Sequence, residues 1–156
     1  MRSFQLAGLR PAPFAPLFDL SDDDLRQRGI RRTIATSKPG FPCRISLADA
    51  EIGEELLLLP YTHLQANSPY NASGPIFVRK GAEQRTEPEG HVPPYVSTRL
   101  ISLRAYDHED MIVRAEVAPG TEVAETISRI FDNPAVRYLH LHNAKYGCFF
   151  CSVERT

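Results

Sequence analysis

The residues with the greatest chemical reach stand between Tyr61 and Arg79, in the run Tyr-Thr-His-Leu-Gln-Ala-Asn-Ser-Pro-Tyr-Asn-Ala-Ser-Gly-Pro-Ile-Phe-Val-Arg. His63, Ser68, Tyr70 and Ser73 bring an imidazole, two hydroxyls and a phenol into a short span, with the amides of Asn67 and Asn71 among them. An imidazole beside a hydroxyl is the raw material of general-base chemistry. A polar, aromatic loop between strands is also a common place for a ligand site. The plainer reading is turn formation, since Ser68-Pro69 and Ser73-Gly74-Pro75 are turn chemistry in their own right.

A second group lies near the end of the chain, where Tyr138, His140 and His142 alternate with Leu139 and Leu141. On a strand, alternate residues share a face, so one face is polar and aromatic and the other is core. The polar face could floor a ligand or metal pocket. A half-exposed sheet face carrying polar aromatics is the favoured alternative. If the following hairpin pairs residue 142 with 148, Cys148 joins that face, and a slip of one residue removes it.

Cys148-Phe-Phe-Cys151 with two histidines nearby invites zinc. The pair has no Gly or Pro inside to turn both sulfurs inward, and on a strand residues three apart face opposite sides. There is no second CxxC, so no metal is expected. A redox pair would need a helix N-terminus after a strand. Cys43 alternates with Ile45 and Leu47 and reads as a small buried hydrophobe.

The proline-rich segment 81–97 adds His91 and Tyr95 as candidates. Arg44, Arg79 and Arg99, at strand ends, could supply charge to an anionic group. His142 and Asn143 could close the floor from the last hairpin. The expected pocket therefore draws on both long loops, one of which must curl over the sheet.

These side chains need a scaffold, and 156 residues suffice for one domain, 1–156, with its own core. A net charge of −1 gives no drive toward nucleic acid or an anionic membrane. Arg outnumbers Lys by 15 to 3, but the cations are scattered and form no basic stripe. Three cysteines argue against a disulfide framework, and the longest apolar run, 56–60, is too short to span a bilayer. The N-terminal apolar run is too short for a signal peptide. The expected setting is cytoplasmic. No cofactor motif such as GxGxxG, P-loop, HExxH or GxSxG is present, and no cofactor is expected.

Ser21 before three aspartates predicts a short helix start, with Gly29 ending it. Strands are predicted at 43–47, 55–60, 75–80, 99–106, 111–117, 136–142 and 148–154, with Asp107-His-Glu-Asp110 as a hairpin turn. Thr121 is expected to cap the principal helix, 121–132. Its Val123, Ile127, Ile130 and Phe131 fall on one stripe. The fold class is α+β, with a single, mainly antiparallel sheet, one principal helix and a short N-terminal helix.

Three stretches carry a resemblance: Pro39-Gly-Phe-Pro-Cys-Arg-Ile-Ser-Leu47 with Asp49 and Gly53-Glu54; Ser68 to Arg79; and His142-Asn-Ala-Lys-Tyr-Gly-Cys148. In this order and at this length the chain resembles a bacterial family known only as a domain of unknown function, DUF1203. The likeness spans nearly the whole chain and is most specific in the middle stretch. It implies a compact, stand-alone protein and carries over no activity, cofactor or catalytic residue. Two functional expectations remain. One is a small-molecule binding or interaction module, with an anionic ligand among the candidates. The other is a small enzyme using His63 or His142 as base with a Ser, Tyr or Cys partner. A His–Ser or His–Cys pair at about 3 Å would mark the enzyme; an apolar pocket without one would mark the module.

Overall fold

A computed structural model describes residues 3–156. Ten strands form two five-stranded sheets rather than one. The first sheet contains β1 (Phe4–Ala7), β7 (Leu100–Tyr106), β8 (Ile112–Pro119), β9 (Tyr138–Asn143) and β10 (Phe149–Arg155), in the order β1-β10-β9-β7-β8. All its pairings are antiparallel. The second contains β2 (Arg31–Ile34), β3 (Pro42–Cys43), β4 (Ala48–Asp49), β5 (Glu55–Leu64) and β6 (Ala72–Arg79), in the order β2-β5-β6-β3-β4. Here β3 and β6 run parallel and the other pairs antiparallel.

The expectation of a single sheet is thus corrected, and the reason lies in what covers each sheet. Leu139, Leu141, Val153, Ile101 and Leu103 pack with the principal helix α3 (Val123–Ile130). Val123, Ile127, Ile130 and Phe131 are all buried there, as their stripe requires. Each such side chain contributes about 1.5–3 kcal/mol by leaving water. Leu57, Leu59, Ile76 and Val78 bury instead against Phe14, Phe18, Leu25 and Ile30. These come from the proline-rich N-terminal segment, from α1 (Asp22–Gln27) and, for Ile30, from the short connection that follows it. Two apolar faces with two separate covers make two sheets.

Local chemistry explains the other departures. Ser21 caps α1 as expected, its Oγ accepting from Asp24 N at 3.1 Å. Thr121 caps nothing: a 3-10 turn, Gly120–Glu122, leads into α3. The predicted strand at 43–47 ends after Cys43, because the chain turns tightly there. Leu47 N bonds Cys43 O, and Leu47 sits at φ 50°, a rare setting for a branched residue. β5 and β6 run further toward each other than expected, so only 65–71 remain as a connection and His63 lies on a strand. The segment 81–97 is pinned along β1, through Gly8 N to Arg85 O, Glu87 N to Leu6 O and Gly90 N to Phe4 O. It ends in a short helix α2 (Pro94–Ser97). Asp107 closes its hairpin as expected, Oδ1 accepting from Glu109 N and Met111 N.

Candidate functional site

Strand alternation sends Leu57, Leu59, Ile76 and Val78 to the core and turns Leu58 and Phe77, which pair directly, the other way. Leu58 and Phe77 wall a cleft of about 500 Å³. Gly40, Phe41, Pro42, Pro75 and Ile76 continue its apolar side. Arg44, Arg99, Asn143, Tyr146 and Cys148 complete it. The β9–β10 turn supplies the last three, and Asn143 builds that turn. Its Oδ1 accepts from the backbone N–H of Lys145 and Tyr146 at 2.9 and 3.3 Å. Gly147, at φ 80°, lets the chain return.

Arg44 is the unusual residue. It is 1% exposed, so its guanidinium is carried into the protein. Nε donates to Phe149 O at 2.7 Å, Nη1 to Pro42 O at 2.6 Å and Nη2 to Cys148 Sγ at 2.9 Å. The group also lies 4.8 Å from the centroid of the Phe150 ring. A guanidinium has five N–H donors, so donors remain. Among the described residues no carboxylate pairs with it. Arg99, beside it at 5.2 Å from the same ring, is neutralised by Asp49 through a bidentate pair of 2.6 and 2.9 Å. The polar end of the cleft therefore holds two guanidinium groups and one carboxylate.

The histidines make a separate feature. β10 pairs Phe149, not Cys148, with His142, so the one-residue slip occurs and a phenyl ring takes the thiol's place. His63 is the extra residue of a β-bulge, since Thr62 pairs Ser73 and Leu64 pairs Ala72. The bulge re-aims its ring, as bulges often do. His63 stacks on Phe149 at 5.5 Å, and its centroid lies 4.9 Å from His142 and 6.0 Å from His140. His140 and His142 are 6.4 Å apart. His142 Nδ1 donates to Gly147 O at 3.0 Å, which leaves Nε2 as the bare nitrogen. That Nε2, both ring nitrogens of His63 and Nδ1 of His140 are buried without a partner. Burial pulls His140 down to about 3 and His142 to about 4, and it lowers His63 as well. Among the described residues, no three His, Cys, Asp or Glu side chains are arranged to hold a metal ion.

The eleven sequence candidates are dispersed over the molecule. Arg44, Arg99 and Asn143 meet in the cleft. His63 and His142 meet around Phe149. Tyr70 joins that group only through Tyr106, at 6.4 Å, which in turn touches His140 at 5.2 Å. Ser68 Oγ donates to Asp110 O and ties the β5–β6 connection to the β7–β8 hairpin. Ser73 bonds Thr62 across its hairpin. Arg79 pairs with Glu54. His91 pairs with the buried Glu87. Tyr95 is core, its hydroxyl donating to Phe150 O at 3.1 Å. Cys148 was weighed for the histidine face rather than for this cleft, and sequence reasoning passed over Phe41, Phe77 and Tyr146 as lining residues. Only the alternation at Phe77 could have signalled one of them.

The architecture defines a two-sheet α+β protein with an apolar cleft that ends in buried positive charge. The chain belongs to the family described as Protein of unknown function (DUF1203), whose model matches residues 40–155. The match takes in all the residues that line the cleft and all three clustered histidines. No curated protein and no solved structure matches the chain. Among the described residues, no helix is long and apolar enough to cross a membrane.

Proposed function

We propose that the protein is a small-molecule binding module and that its ligand joins an apolar body to an anionic group, most simply a carboxylate. The observation that carries this is Arg44: a buried guanidinium with spare donors and no carboxylate, at the end of a cleft walled by Leu58, Phe41 and Phe77. A buried charge without a counter-charge is costly, and an anion entering the cleft offsets that cost. A guanidinium fork also matches the geometry of a carboxylate. Among the described residues Asn143 Nδ2 bonds no protein acceptor, so it can act as a second donor at the same place. The apolar walls then hold the body of the ligand, the usual division of labour in such pockets.

The binding reading is preferred to the enzymatic one on geometry. Among the described residues no imidazole bonds a serine, tyrosine or cysteine side chain. His142 bonds a backbone carbonyl and His91 bonds Glu87. The test is thermal melting with matched pairs of aromatic carboxylates and their amides. A ligand at a hundred times its Kd stabilises by about 2.7 kcal/mol. For a chain of this length that is a rise of roughly 5–10 °C. The carboxylates should give it and the amides should not; equal effects from both would refute the anionic part of the proposal.

A further inference from the structure

We propose that His63, His140 and His142 form an acid-released clasp between the two sheets, closed while the three rings are neutral and opened as a unit when they take up protons. His63 belongs to β5 of the second sheet, and His140 and His142 to β9 of the first. The rings meet around Phe149, whose centroid is 5.5 Å from His63, 5.0 Å from His140 and 5.9 Å from His142. The contact therefore spans the seam.

The groups that face the rings decide the sign. From β7 come Arg104, directly paired with His140, and Tyr106. From β9 comes Tyr138, 5.3 Å from His140. From β5 comes Tyr61, 6.1 Å from Phe149. Arg44 adds positive charge toward His142. Two carboxylates approach Tyr138: Asp110, which accepts from its hydroxyl at 2.6 Å, and Glu154 of β10, directly paired with it across the sheet. Among the described residues no carboxylate pairs with any of the three imidazoles. A proton on His142 thus meets Arg104 and Arg44, and one on His140 or His63 meets Arg104, with neighbouring imidazoles beside each ring.

Linkage sets the pH range. In the closed state burial and these charges hold the rings neutral, with His140 down at about 3 and His142 at about 4. In an opened seam the rings return toward the ordinary value of about 6.5. The clasp contributes fully above about pH 6.5. Its contribution is lost as pH falls, because the open state binds more protons. Each ring multiplies the opening constant by about ten per pH unit, so three together give roughly a thousand-fold. The opening constant therefore starts to rise as pH falls below the ordinary imidazole value, above the closed-state values.

The test is the titration of the histidine ring protons by NMR from pH 8 to 4, with tyrosine near-ultraviolet circular dichroism as a reporter of the seam. The expected result is that all three rings keep neutral shifts and then change together with the tyrosine signal, in one steep step above pH 4.5. His63→Phe should make that step about ten-fold shallower per pH unit and move it to lower pH. If that protein does not fold, His140→Phe gives the same reading. Three rings that titrate singly in an intact fold would overturn the proposal, as would a step whose steepness is unchanged in the variants.

Discussion

Arg44 Nε donates to the backbone carbonyl of Phe149 at 2.7 Å, and the three clustered histidines pack around the ring of that same Phe149. One residue of β10 is therefore shared by the charged end of the cleft and by the seam between the sheets. Two bulges make this possible. One lifts His63 out of register on β5, and the other, between Phe149 and Cys151, separates the two sides of β10. Phe149 then faces the histidines, while Cys151 goes to the core under α3.

Replacing Asp49 by Asn removes the carboxylate that neutralises Arg99. Arg99 and Asp49 are both largely shielded from solvent, with side-chain exposures of 15% and 9%. Breaking a shielded pair on one side costs about 3 kcal/mol. Urea denaturation should show that loss. The same variant should bind anionic probes more tightly than the parent, because Arg99 is then free as well.

Thiol labelling separates the three cysteines. Cys43 and Cys151 are buried, at 0% and 1% exposure, and Cys148 is half-buried in the cleft wall. A bulky disulfide reagent should modify one thiol in the native protein and all three in denaturant. A saturating cleft ligand should slow the native reaction at Cys148. Native labelling of two or more thiols would contradict the burial of Cys43 or Cys151.

Glu87 is a buried carboxylate that ties together Arg85 and His91 within the segment 81–97. Burial alone would raise its carboxyl, but hydrogen bonds from Arg85 and His91 outweigh this and hold it below the usual range. A depressed carboxyl stabilises above its unfolded value, and that stability is lost as pH falls through the folded value. Glu87→Gln should cost about 1–2 kcal/mol at pH 7. The difference from the parent should shrink as the pH falls from the ordinary carboxylate range through the lowered folded value, beneath which both side chains are neutral.

Gly8 and Gly120 are fixed by space. A Cβ at Gly8 would collide with the Ile45 carbonyl, and one at Gly120 with the Val96 carbonyl. Backbone cannot swing aside as a side chain can. Gly8→Ala and Gly120→Ala should each destabilise by about 3 kcal/mol or prevent folding. At Gly53 the surroundings are open, so the positive φ of 94° is the sole penalty there.

The sequence held the elements better than their assembly. The period of Val123, Ile127, Ile130 and Phe131 gave the helix and its buried face, because a 3.6-residue stripe has one solution. The alternation at 138–142 gave a strand with Leu139 and Leu141 inward. What it could not give was the division into two sheets. That depends on which cover each apolar face finds, and local periodicity does not encode it. The candidate site was legible in part for the same reason. Arg44, Arg99 and Asn143 were recognisable by type, and His63 and His142 proved to be neighbours. The one-residue shift that places Phe149 opposite His142, and the bulge that turns His63, arise from pairing across the sheet and leave no mark in the chain itself. Burial of Arg44 was hidden too, because on an alternating strand it should have faced outward between Cys43 and Ile45.

The most direct measurement follows the Arg44 Nε–H and Asn143 Nδ2 resonances by NMR while benzoate, and separately benzamide, is titrated into the protein at pH 7.5. Binding at the charged end of the cleft predicts saturable shifts at both resonances with benzoate, spreading to Phe41 and Phe77. It predicts an affinity at least about ten-fold weaker for benzamide, the equivalent of 1.4 kcal/mol for the lost charge. Equal affinities for the two probes, or shifts that map away from Arg44 and Asn143, would contradict the account.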